Sequence, residues 1–171
     1  NLVREYGFTD GVDNEGKGDA IMACLRNGRR PKGPYLAFLE SRGLLETHLR
    51  MYEPYLGQPG WLDFPAVTDL PDEAYCDNWV ADNARRFLRD FPRDRPWHLV
   101  VNFTGPHGPF DVTADMHRRW QGVELPDPHD NHEPDRAVIR ERRRNYAAMI
   151  ENIDRLCAGL AAEVAARGEA D

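Results

Sequence analysis

The sequence predicts an α/β fold, a helix-rich chain with at least one central strand, and three observations carry that expectation. Residues 97–103, "WHLVVNF", hold Leu99, Val100 and Val101 consecutively, and a strand apolar on both faces belongs inside a sheet, commonly a parallel one. Amphipathic helical patterns stand on either side of it. The order helix, strand, loop, helix is that of a layered domain whose helices cover a sheet.

The elements follow in chain order. Residues 1–33 hold two Gly-rich polar stretches, "GFTDGVDNEGKGD" and "RNGRRPKG", around a short apolar piece from Ala20 to Leu25, and are read as mostly loop. Residues 34–56 carry apolar side chains at helical spacing interrupted by Gly43, which predicts two short helices or one bent helix. In "GQPGWLDFPAV" the Pro and Gly residues break regular structure, with Trp61 and Phe64 expected to pin the loop to the body. Pro71, Asp72 and Glu73 then suit the first turn of a helix that ends before Pro92. Its expected apolar stripe is Cys76, Val80, Ala84, Phe87, Leu88 and Phe91. After the strand come a turn, "TGPHGPFDVT", a short helix, "ADMHRRW", and a Pro- and Asp-rich loop. The longest helix is expected over about residues 135–167, with a stripe of Ile139, Tyr146, Met149, Ile150, Ile153, Leu156, Leu160 and Val164 and with Gly168 as its C-cap.

A chain of 171 residues has one-domain length, and 41% hydrophobic with 30% charged residues is the balance of a folding globular chain. The net charge of -7 argues against a nucleic-acid partner, because phosphate neutralisation needs a basic face. No run approaches the roughly 18 apolar residues of a membrane span, so no membrane partner is expected. Cys24, Cys76 and Cys157 are odd in number and far apart. They suggest neither a disulfide framework nor a zinc site, and are read as buried small apolar residues.

One corner invites chemistry. His107 lies four residues past Phe103, between Pro106 and Pro109. In open α/β sheets ligands collect at the carboxyl ends of strands, and flanking prolines fix the backbone that aims the imidazole. A histidine so held can give a proton to a leaving group or hold an anion's oxygen.

The apolar strand entering Pro106, His107, Gly108, Pro109 and Phe110, followed about forty residues later by a tyrosine-led helix with an aspartate, Tyr146 and Asp154, resembles the sulfatase family of the alkaline phosphatase superfamily. The resemblance runs from about Leu70 to the end, with a weaker match at "EYGF". It implies part of an alkaline-phosphatase-like α/β/α sandwich that hydrolyses sulfate esters with a formylglycine nucleophile and a divalent cation, usually calcium. His107 matches the histidine that contacts the sulfate and its bridging oxygen. A sulfated small molecule or glycan is the implied substrate.

The formylglycine precursor motif, Cys-x-Pro-x-Arg, is matched by none of "CLRNG", "CDNWV" and "CAGLA". The family's early paired aspartates, its Gly-Lys-x-His motif and its Ser-Asp-His/Asn-Gly motif are not found either. The expectation is therefore an internal segment of one larger catalytic domain, residues 1–171, inactive alone and prone to self-association through unpaired strand edges. No metal ligand is assigned within it. A phosphonate monoester hydrolase or phosphodiesterase of the same superfamily is the neighbouring alternative, and a non-catalytic binding domain the more distant one.

Other candidates weigh less. Asp10, Asp13, Asn14, Glu15 and Asp19 do not have EF-hand spacing and are read as an exposed acidic loop. His129 and His132 sit in the Pro-rich connection with no second ligand cluster. Arg140, Arg142, Arg143 and Arg144 surround Glu141 and are expected to face solvent. His48, His98 and His117 are expected in packing or surface roles.

Overall fold

The computed structural model describes residues 2–126, 128 and 135–169. They form two units that divide between Leu56 and Gly57.

The first unit is helical: α1 (Leu2–Glu5), α2 (Lys17–Arg26), α3 (Pro34–Ser41) and α4 (Leu45–Tyr52). The expectation that residues 1–33 are mostly loop is corrected by α2. Its Ala20, Ile21 and Cys24 are buried at helical spacing, and packing of that face offsets the cost of a glycine in the first turn. The break at Gly43 is as expected, with the glycine at φ 70° between two helices. Arg29 ties the unit together by reaching Glu46 at 2.6 Å and Glu53 at 2.7 Å. The acidic stretch is only partly an exposed loop. Asn14 accepts a hydrogen bond from the Tyr35 amide at 3.2 Å and, with Glu15, packs at the start of α3.

In the second unit, β1 (Pro65–Thr68) and β2 (Phe110–Thr113) pair in parallel, Pro65 opposite Phe110 and Thr68 opposite Thr113. Between them run a 3-10 turn (Asp72–Ala74) and α5 (Cys76–Asp90); after them come α6 (Ala114–Trp120) and α7 (Arg136–Ala166). Thr113 caps α6 by accepting from the Met116 amide, and Asp135 caps α7 by accepting from Ala137 and Val138. Gly168, at φ 73°, ends α7 as expected. The core at the strands is Tyr75, Val112, Met116, Ala148 and Met149.

Polar residues occupy the buried seam of both long helices, which corrects the two predicted stripes. On α5 the buried set includes Asp77, Asn78 and Ala81, whereas Val80 and Phe87 are only half-buried. On α7 it includes Asn145 and Asn152, whereas Tyr146 and Ile150 are 44% and 46% exposed. The cause is hydrogen bonding. Asn145 donates to the carbonyls of Ala66 on β1 and Phe110 on β2, at 3.1 and 2.7 Å, and Asn152 donates to Asn78 at 2.9 Å. Amides with such partners can be buried in place of apolar side chains.

The predicted central strand is also corrected. Residues 97–103 are extended, but among the described residues they join no ladder, and their exposure alternates between half-buried and open. Val100 is 48% exposed. The consecutive apolar residues therefore mark two faces of which only one is covered here. The segment is anchored at its start, where the Trp97 ring stacks 5.0 Å from Phe91 and its indole donates to Glu169 at 3.0 Å. Cys24 and Cys76 are buried as expected, but Cys157 is exposed on α7.

Two outcomes follow from these ties. Asn145→Ala removes the donor shared by both strands, and is expected to lower unfolding free energy by about 1–3 kcal/mol, read as a lower urea midpoint at unchanged slope; an unchanged midpoint would mean that the two carbonyls find other donors. The Glu169 carboxyl is held below the usual carboxylate range, chiefly by its bond to Arg167 and further by the Trp97 indole. A depressed folded value contributes stability above the ordinary range and loses it as pH falls through the folded value. Glu169→Gln is accordingly expected to lower the urea midpoint at neutral pH, with the difference from wild type shrinking through the acid limb. A difference independent of pH would rule out the charge as its source.

Candidate functional site

The segment 97–103 runs into a bend, Thr104 to Pro109, before the chain enters β2. Two of its six residues are prolines without an N–H, so little of its own backbone can hold it. The missing restraint comes from α5. Asp77, fully buried, accepts through Oδ1 from the Thr104 amide at 2.8 Å, the Thr104 hydroxyl at 2.9 Å and the Gly105 amide at 3.1 Å. Gly105 leaves room for this: a Cβ there would stand 2.5 Å from Asp77 Oδ2 and 3.2 Å from Ile153 Cδ1.

Two residues further on stands His107, exposed. Its Nδ1 lies 2.7 Å from the carbonyl of Gly108. A carbonyl only accepts, so Nδ1 carries the proton and Nε2 is turned to other work. The neighbouring Gly108 lies against the carbonyl of Leu62, which a Cβ would strike. The bend and the turn 60–63 are thus closely apposed.

Between them opens a cleft of about 720 Å³. Trp61, Leu62, Phe110 and Tyr146 supply apolar walls, His107 the imidazole and Asp63 a carboxylate. Tyr146 and Phe110 meet edge to face, ring centres 6.1 Å apart. The turn precedes β1 and the bend precedes β2, so the cleft lies at the amino ends of the parallel pair. The expectation of a site at the carboxyl edge of a central strand is corrected in this respect: His107 does follow the extended segment, but that segment is outside the ladder.

The remaining candidates are placed elsewhere. His117 is not partnerless, since its Nε2 lies 2.6 Å from Glu141 and joins α6 to α7. His48 is buried between the rings of Tyr35 and Tyr52, and His98 is exposed on the extended segment. Arg142, Arg143 and Arg144 are half-buried rather than facing solvent, with Arg144 donating to the Val123 carbonyl at 2.8 Å. Asp154 is exposed on α7. His129 and His132 lie outside the described residues. Burial pushes the Cys24 thiol up, which suits a core thiol. Asp77 and Asn145 were missed by the reading of the sequence. The available signal was polar residues falling in register with the apolar ones of α5 and α7.

The family model described as Sulfatase matches residues 7–171. No curated protein matches the chain. The match takes in the cleft, the bend and both long helices, in the chain order on which the resemblance at Pro106 to Phe110 and Tyr146 was drawn. The chain belongs to the sulfatase family, hydrolases of the alkaline phosphatase superfamily.

Proposed function

We propose that this chain supplies the leaving-group side of a sulfate-ester hydrolase, with His107 as the proton donor. The observation that carries this reading is the orientation of the ring: Nδ1 is committed to the Gly108 carbonyl, which leaves Nε2 as the nitrogen free to act, and His107 lines an open cleft. In the imidazolium form, Nε2–H gives its proton to the bridging oxygen as the S–O bond breaks, and a neutral alcohol departs in place of a costly alkoxide. The apolar walls of Trp61, Phe110 and Tyr146 receive the carbon skeleton of a sulfated small molecule or glycan.

The family reading also brings a formylglycine nucleophile and a divalent cation, calcium by expectation. The residues present do not fit either. No cysteine lines the cleft, and among the described residues no group of three or more His, Cys, Asp or Glu gathers to hold a cation. The proposal therefore assigns both to residues outside this chain, and no step is derived through them. In this reading residues 1–171 are an internal portion of one catalytic domain. The extended segment 97–103, with one face open and no ladder partner among the described residues, supports it. The chain alone is then inactive and able to associate with itself.

His107→Ala, in the protein carrying the full catalytic set, is expected to lower kcat on the order of 10²-fold or more for an alkyl sulfate, and much less for nitrophenyl sulfate, whose phenolate leaves without help. Steady-state kinetics on the two esters decide the matter. Equal losses would remove the proton-donor role.

A further inference from the structure

We propose that Asp77 is the positioning residue for His107, a buried carboxylate on α5 that sets where the imidazole stands in the cleft. The proposal rests on the leaving-group role given to His107 above, and adds to it the group through which α5 controls that role.

Asp77 is the second residue of α5, in its first turn, yet its bonds leave its own helix. All three donors to Oδ1 belong to Thr104 and Gly105, more than 25 residues away in the chain. Two of them are the last backbone amides before Pro106 and the third is the Thr104 hydroxyl, so the bend is gripped where it begins. From there the path to His107 passes through a single proline, whose ring fixes φ. A displacement at Gly105 is passed on to the imidazole rather than absorbed. The packing is closed on the other side too, because Met149 and Ile153 of α7 stand against Gly105.

Asp77 Oδ2 is buried and has no hydrogen-bond partner among the described residues. An unpartnered buried oxygen contributes nothing to holding the bend, so the grip lies in Oδ1 alone. That separates the substitutions. Asn at this position keeps an acceptor where Oδ1 stands, although a neutral oxygen draws three donors less strongly. Ala leaves the three donors unmatched and the bend free to move. Misplacement of a catalytic group by about 1 Å costs on the order of 10²-fold, and it costs most where the group has most to do.

The test uses the protein with its full catalytic set, an alkyl sulfate and nitrophenyl sulfate. Asp77→Ala is expected to lower kcat on the alkyl ester on the order of tenfold to a hundredfold, with KM little changed and the nitrophenyl ester much less affected. Asp77→Asn recovers most of that loss. The double variant Asp77→Ala/His107→Ala should be no slower than His107→Ala alone, because Asp77 acts only through the imidazole. A uniform loss on both esters, or losses that add in the double variant, would show a merely structural carboxylate and overturn the proposal. Should Asp77→Ala fail to fold, Thr104→Val, which deletes one of the three donors, carries the same comparison: a smaller loss confined to the alkyl ester supports the proposal, and none or a uniform one overturns it. If His107→Ala itself shows no ester dependence, the leaving-group role falls and this inference with it. If His107→Ala does and neither other variant does, only the inference about Asp77 falls.

Discussion

A backbone that turns through two prolines has few N–H groups with which to hold itself, and in the bend carrying His107 a carboxylate from another element meets two of the four that remain. The Asp77 contact to Thr104 and Gly105 is therefore the constraint on which the cleft depends. Hydrogen bonds to an ionised acceptor are stronger than neutral ones, more so away from water. The contact couples α5 to the bend, the bend to the turn at Leu62 through the close approach of Gly108, and the turn to the head of β1.

Side chains from the helices hold the strand pair in a similar way. A parallel two-stranded ladder is too small to be stable alone, and here α7 lies across it with Asn145 bonded to both strands. The Tyr75 hydroxyl donates to the Asp111 carbonyl at 3.0 Å, joining the entry of α5 to β2. Side chains from the helices thus fix the strand register that four residue pairs would hold weakly. Since Phe110 begins β2 and also walls the cleft, the register decides the width of the site.

Much of this was legible in the sequence, and the failures share a cause. Helix ends marked by Pro34, Gly43 and Gly168 were readable because backbone preference is local, as was the stiffness of the Pro106 to Pro109 corner. The rotation of the two long helices was not. Hydrophobic periodicity weighs Tyr146 and Ile150 as core and Asn145 and Asn152 as surface, and it cannot know that carbonyls of β1 and β2, or Asn78, will meet those amides. The strand at residues 97–103 failed for a related reason: three consecutive apolar residues report that both faces prefer cover, not that the described chain provides it. β1 is not legible in the sequence because "PAVT" is four paired residues beginning at a proline, a pattern indistinguishable from a loop until a partner is present.

His107 could be named from its flanking residues, but the form in which it acts could not. An imidazole between prolines is equally able to turn either nitrogen outward. What selects Nδ1 for the inner bond is the carbonyl of Gly108, one residue ahead, and that carbonyl is where it is because Gly108 can lie flat against Leu62. Any side chain at 108 would push the bend from the turn, carry the carbonyl with it and release the ring from its tautomer. The glycine in Pro-His-Gly-Pro is thus a chemical choice as much as a steric one: it determines that Nε2 is the nitrogen left free of the bend, the one through which an imidazolium can pass its proton to the oxygen that must leave.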